Sequence, residues 1–254
     1  MSLTDTQLDR YARHIVLKEI GGAGQQRLLA ASVAVVGAGG IGCPAIQYLA
    51  AAGIGRLRIV DDDAVGLDNL QRQVLFGTPD VGRPKAEVAA EAVRRLNPDV
   101  AVEGVRERIG APNVAALLGG VDLVLDGSDN FATRLLVSDF CTAARIPLVS
   151  AAVGQFQVQV ATWRGWEAGR PCYRCFVGDA FDAEDCDSCA ELGVLGAVAG
   201  LAGSWAAMEA VREIAGFGDE AAGKVHVFDG LVPGLRTLRI VKDRACTACG
   251  ALDD

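Results

Sequence analysis

Three short polar stretches carry side chains suited to phosphoryl chemistry: Asp68-Asn-Leu-Gln-Arg-Gln73, Gly82-Arg-Pro-Lys85 and Asp126-Gly-Ser-Asp-Asn130. Lys85 places an ammonium on a flexible stem and Arg72 a guanidinium in a polar loop, while Asp129 and Asn130 form a carboxylate–amide pair after an apolar run. Such a set suits a triphosphate carried with a magnesium ion, because fixed cations and a metal-holding carboxylate meet the charge on phosphoryl oxygens. Upstream, Ser32-Val-Ala-Val-Val-Gly-Ala-Gly-Gly-Ile-Gly42 is an apolar run that ends in a glycine loop. Gly37 can turn the chain at positive φ, Gly39 lets backbone approach a phosphate, and Gly42 lets a helix pack on the strand; the N–H groups at that helix start favour an anion. Asp61 follows the strand-like run Arg56-Leu-Arg-Ile-Val60, nineteen residues beyond Gly42, where an acid can hold a ribose hydroxyl. The glycine loop and Asp61 alone would also suit an NAD-dependent dehydrogenase, but hydride transfer has no need of Arg72, Lys85 and Asp129.

Six of the eight cysteines fall in three C-x-x-C pairs, Cys172/Cys175, Cys186/Cys189 and Cys246/Cys249. Two pairs make a tetrahedral thiolate set for one zinc ion, and spacing alone leaves open which two. Pro171 and Gly250 flank two of the pairs as turn residues, whereas Cys186 and Cys189 stand among Asp182, Glu184, Asp185, Asp187 and Glu191, acids that raise a thiol pKa. Cys43 and Cys141 lie in helical patterns and read as small buried apolar residues. With His14 and His226 the only histidines, a His-based triad has no material.

Taken together, the three polar motifs and the cysteine pairs, in this order and spacing, resemble the MoeB/ThiF/HesA adenylyltransferases, bacterial relatives of the ubiquitin-activating enzymes, from about Leu8 to Gly250. The resemblance implies attack by the C-terminal carboxylate of a small ubiquitin-like sulfur carrier protein, ending in Gly-Gly, on the α-phosphate of ATP. A molybdopterin (MoaD-like) carrier is preferred over a thiamine (ThiS-like) one. It further implies that Gly40 and the loop amides take phosphate and Asp61 the ribose, with Asp68, Asn69, Leu70, Gln71, Arg72, Lys85, Asp129 and Asn130 around ATP and Mg²⁺. Arg13 matches the arginine that reaches the neighbouring subunit's nucleotide, hence a homodimer. Cys172, Cys175, Cys246 and Cys249 match the zinc pairs, and Cys189 matches a thiol that can serve as nucleophile. Asp68 stands where relatives often have Ser, and Ser128 where Thr is common. A fused sulfurtransferase domain is not expected here, so sulfur would come from a separate donor protein.

The elements that must position these groups are legible in outline. Strand-like runs at Ser32–Val36, Arg56–Val60, Val100–Val105, Asp122–Leu125 and Pro147–Val153 alternate with helical stretches, which predicts βαβ units and a mostly parallel, Rossmann-like sheet with helices on both faces. Gln155–Trp163, Lys224–Phe228 and Leu235–Ile240 alternate at period two and predict antiparallel strands that extend it. Thr4 and Gln7 form a capping-box pattern before a helix with Leu8, Tyr11 and Ile15 on one face. Pro84 opens a helix expected to bury Val88, Ala92 and Leu96. Leu192–Met208 carries no charge but is short and rich in Gly and Ala, a buried helix rather than a membrane span, with Gly196, Gly200 and Gly203 at close backbone approaches. Trp163–Ala190 reads as a long irregular connection.

The 254 residues, 51% hydrophobic, are read as one adenylation domain: a helical arm over about 1–30, a nucleotide-binding core over about 31–153, and a carrier-binding, zinc-bearing part over about 154–254. A formal net charge of −8 offers no general attraction to nucleic acid or to an anionic membrane. It also disfavours a related tRNA-modifying ATPase, while a catalytically idle zinc-stapled binding module is opposed by the phosphate-handling set. Met1–Arg10 has no apolar signal-peptide core, so the expected location is cytoplasmic.

Overall fold

The computed structural model describes residues 3–178 and 193–253. Its strands are β1 (Ser32–Val36), β2 (Arg56–Val60), β3 (Ala101–Val105), β4 (Leu123–Asp126), β5 (Leu148–Gly154), β6 (Gln157–Trp163), β7 (Lys224–Asp229) and β8 (Gly234–Arg239). They form one sheet in the order β3-β2-β1-β4-β5-β6-β7-β8. Pairing is parallel from β3 through β5 and antiparallel from β5 through β8, the α/β architecture expected.

Strand order reverses between β1 and β4, which leaves a crevice at their carboxyl ends. Register brings the two neighbours to the same level, since Val36 pairs with Val60 of β2 and with Asp126 of β4. Gly37, Asp61 and Gly127 therefore leave the sheet side by side.

Period-two alternation divides the strand residues between two cores. Val33, Val35, Leu57, Ile59, Leu123 and Leu125 meet Ile46 and Leu49 of the helix Gly42–Ala52, Val88 and Val93 of the helix Lys85–Leu96, and Ala202, Ala206 and Ala210 of the helix Gly196–Ala215. Ala34, Val36, Val60 and Val124 meet Leu117 and Leu118, Val137 and Cys141, and Tyr173, from helices on the opposite face. Each large side chain so enclosed contributes about 1.5–3 kcal/mol.

Several expectations shift in detail. The Thr4 capping box is present on a helix Asp5–Arg10, but the chain breaks at Tyr11, so Tyr11 is buried while Leu8 stays exposed. Tyr11 lies over Gly53 and its hydroxyl accepts from Asn97 Nδ2 at 2.9 Å. Leu96 is exposed because the buried stripe of its helix runs through Val88, Ala89, Ala92 and Val93. A Cβ at Gly196 would collide with the Gln71 carbonyl and one at Gly203 with the Ile41 carbonyl, whereas Gly200 faces open space. The uncharged segment becomes a helix that runs on past Glu209, itself buried, to Ala215. Within the irregular connection Tyr173–Val177 is helical. His226 on β7 stacks on Trp205 and bonds Thr237 Oγ1 at 2.9 Å. Among the described residues no helix is long and apolar enough to cross a membrane.

Candidate functional site

The crevice between β1 and β4 opens into a cavity of about 580 Å³, within the range of small-molecule sites. Its floor is the glycine loop. Gly37 has φ 85° and a Cβ there would press on the Gly127 carbonyl at 3.3 Å, so this turn needs glycine. A Cβ at Gly42 would strike the Gly37 carbonyl, and the absence of one lets the helix Gly42–Ala52 start directly beneath the loop. Gly39 and Gly40 line the open side, with the aliphatic stem of Arg72 passing 3.4 Å from where a Gly40 Cβ would stand.

Asp61 is fixed by two backbone donors, Ala38 N–H to Oδ2 at 2.7 Å and Asp63 N–H to Oδ1 at 2.9 Å. Burial pushes its carboxyl above its ordinary pKa, with the Ala38 N–H and the Lys85 charge pulling the other way. Each carboxylate oxygen keeps a second lone pair, and Asp61 lines the cavity.

Lys85 arrives from a different stretch of chain. Val65 N–H donates to Arg83 O at 2.9 Å, Gly82 N–H to Val65 O at 2.8 Å and Lys85 N–H to Asp63 O at 2.9 Å, a short antiparallel ladder that zips 63–65 onto 82–85. It presents Lys85, 5% exposed, to the cavity, where Nζ bonds Asp63 Oδ2 at 2.8 Å. Arg72 bonds Asp68 O through Nη1 at 3.2 Å. Asn69 Oδ1 accepts from Gly66 N–H and its Nδ2 donates to Asp68 Oδ2 at 3.0 Å, so both polar ends hold the loop.

After β4, Ser128 N–H donates to Asp126 Oδ1 at 2.9 Å, and Arg134 grips Ser128 O through Nε at 3.0 Å and through Nη2. Asn130 caps the helix Phe131–Ala144 by accepting from Thr133 N–H at 2.9 Å. Pinned on both sides, this turn sets Asp129 at the cavity wall, exposed and with no partner among the described residues.

Gly37, Gly39, Gly40, Asp61, Asp68, Asn69, Arg72, Lys85, Asp129 and Asn130 thus line one cavity. Leu70 and Gln71 do not: Leu70 turns into the core, and the Gln71 carbonyl abuts Gly196. Arg13 is exposed and away from the cavity of its own chain. Cys186 and Cys189 lie outside the described residues. Asp63, Gln73, Arg108 and Arg134 also line the cavity and were not singled out from sequence. Arg134 had a readable signal, standing one helical turn after Asn130, and Gln73 closes the Asn69–Arg72 motif.

Outside the lining of this cavity, the sulfur atoms of Cys172, Cys175, Cys246 and Cys249 all lie within 4.8 Å of one another. Cys172–Cys175, Cys172–Cys246 and Cys175–Cys249 are 4.0, 3.6 and 3.4 Å apart. A tetrahedron of thiolates with metal–sulfur bonds of about 2.3 Å has edges of about 3.8 Å, so the four fit zinc with little adjustment. The cluster is tied to the core by Arg174, whose Nε and Nη2 bond the two carboxylate oxygens of Asp139 at 2.7 and 2.8 Å. Cys43, by contrast, is enclosed, and burial pushes its thiol up to about 12, which makes it inert core.

A parallel sheet with a glycine loop at the switch point, an acid after β2 and cations opposite define a nucleotide-binding α/β protein with a separate thiolate cluster. Residues 11–250 match the ThiF family, and the chain belongs to it. It is 46% identical over 250 residues to the SAMP-activating enzyme E1 of Haloferax volcanii, covering 98% of this chain and 92% of that protein. Identity to the molybdopterin-synthase adenylyltransferase of Escherichia coli is 40% over 248 residues, 98% of each chain. In fold it superposes on E. coli MccB, crystallised with succinimide, with a TM-score of 0.84 at 21% identity, over 98% of this chain and 75% of that one.

Proposed function

We propose that the chain adenylates the C-terminal glycine of a ubiquitin-like sulfur carrier protein. The observation that carries this reading is the convergence of Arg72, Lys85 and Asp129, from three separated motifs, on the cavity floored by Gly39 and Gly40. A carboxylate oxygen of the carrier forms a bond to the α-phosphorus of ATP as the bridging bond to the β-phosphate breaks; pyrophosphate leaves and an acyl-adenylate remains. Asp61 orients the ribose, the loop amides of Gly39 and Gly40 hold phosphate, and Asn69 keeps the Asp68–Arg72 loop in shape. Arg72 and Lys85 face charge that grows on the phosphoryl oxygens.

Six carboxylates line the cavity against four cationic side chains, so a triphosphate enters only with a companion cation. Asp129, a carboxylate with no partner among the described residues, would hold Mg²⁺, which would supply charge neutralisation to the phosphates.

The preferred carrier is MoaD-like, in support of molybdopterin synthesis, with a ThiS-like carrier as the second choice. Residues 1–254 act as one cytoplasmic adenylation domain with the three parts expected from sequence. It works as a homodimer in which the exposed Arg13 serves the partner's nucleotide, zinc in the Cys172, Cys175, Cys246 and Cys249 cluster is structural, and sulfur comes from a separate donor protein. The test is ATP–pyrophosphate exchange with candidate carriers. Exchange is expected with a Gly-Gly carrier and lost when its last glycine is removed; exchange indifferent to that glycine, or NAD reduction in its place, overturns the reading.

A further inference from the structure

Gln73 is an uncharged side chain in a cavity otherwise read through its charges. It is 4% exposed, lines the cavity and has a carbonyl oxygen, Oε1, that is sealed off without a hydrogen-bond partner. Its other end reaches the glycine loop: a Cβ placed on Gly39 would lie 3.9 Å from Gln73 Nε2.

The amide is oriented with its oxygen sealed inside the protein and its nitrogen towards Gly39, on the cavity side. That nitrogen carries two N–H donors. The main chain of Gln73 is locked there, since its N–H donates to Asn69 O at 2.9 Å and its carbonyl accepts from Phe76 N–H at 3.1 Å.

Three of the four cations that line the cavity are already engaged. Lys85 Nζ is on Asp63, Arg72 Nη1 is on Asp68 O, and Arg134 is on Ser128 O. Gln73 Nε2 has no partner among the described residues. A donor with unused hydrogens beside the amides of a helix start matches an anionic oxygen.

Resting on the nucleotide reading above, we infer that Gln73 is a further ligand-contacting residue, whose Nε2 donates to a phosphate oxygen held over Gly39 and Gly40. As a neutral donor it gives direction to a bond that the longer cations supply mainly as charge. It also avoids enclosing another cation when the cavity is empty.

The test uses the whole protein as Gln73→Leu and Gln73→Glu, with ATP·Mg²⁺ affinity by titration calorimetry, pyrophosphate exchange, and melting temperature without nucleotide. Leu keeps bulk and removes the donor. It is expected to leave the melting temperature unchanged or higher, because the sealed oxygen is gone, and to weaken ATP binding about tenfold. Glu is nearly isosteric but, ionised, opposes phosphate; it should bind worse than Leu at pH 8 and recover relative to wild type as acid restores an O–H donor. Gln73→Met replaces Leu if that variant does not fold. The inference is overturned if the apolar variant binds ATP within threefold of wild type, or if both variants lose affinity only in step with melting temperature and without pH dependence. A wild-type protein that binds no ATP overturns the adenylation reading instead, which keeps the two failures apart.

Discussion

Lys85 Nζ lies 2.8 Å from Asp63 Oδ2, joining a lysine that is 5% exposed to an aspartate whose side chain is 66% exposed. The geometry is one of aiming. With one partner this open to water the pair stabilises the fold by at most about 1 kcal/mol, so its main effect is to hold the ammonium at the cavity wall.

Lys85→Ala should cut carrier-dependent exchange by roughly 10²-fold or more, as for loss of one partner to transition-state charge. Asp63→Asn should cost less, about tenfold, with a nearly unchanged melting temperature. Equal losses in both, or a large stability loss in Asp63→Asn, would contradict an aiming role.

Asp61 exchanges stability for binding. Its folded pKa is raised, so its contribution to stability is most favourable below the unfolded value near 3.8 and is lost as pH rises through the folded value. Asp61→Asn does not titrate and keeps an oxygen for the Ala38 N–H. The melting-temperature difference, variant minus wild type, should therefore grow as pH rises through the acid range and then level off. ATP affinity of the variant should fall about tenfold or more at neutral pH.

The thiolate cluster should bind one zinc per chain. Cys246→Ser is expected to lose the metal and lower thermal stability, since such sites contribute on the order of 10 kcal/mol of apparent binding free energy. Cys186→Ser should do neither. Metal analysis with calorimetric melting gives the answer, and the opposite pattern would move the site.

Mixing inactive Arg13→Ala and inactive Lys85→Ala chains should restore part of the exchange activity, through heterodimers with one intact composite site. Absence of recovery, with subunit exchange demonstrated by mass spectrometry, would confine Arg13 to an idle face.

Cys189→Ala should leave exchange within a few-fold of wild type, because carboxylate attack on phosphorus needs no thiol. Loss of exchange with zinc content and folding intact would place Cys189 in the adenylation step.

Local signals made much of this site legible. β1, its glycine loop and the following helix are contiguous, and Asp61 immediately follows β2, so periodicity and glycine spacing suffice to find them. Asp63 and Gln73 escaped because their placement depends on contacts between distant segments. Asp63 matters only once the 63–65 and 82–85 ladder is closed, and Gln73 only once Asn69–Phe76 folds back over Gly39. The exposure of Leu96 has the same origin: helical periodicity marks a stripe, but the facing helix Gly42–Ala52 decides where that stripe stops. Leu70 shows the converse, a motif residue that the core captured.

The thiolate cluster joins positions 74 apart along the chain, Cys172 to Cys246 and Cys175 to Cys249. The helix Gly196–Ala215 and the β7–β8 hairpin lie between them, so a bound metal converts this half of the protein into a ring. Closing a loop of that length removes unfolded-state freedom that, for a covalent cross-link, is about 4 kcal/mol. The ring also has an order of events, because it cannot shut until residue 249 has been synthesised. Metal uptake would then report that synthesis has passed Cys249, and a product truncated before the Cys246/Cys249 pair would remain open to proteolysis.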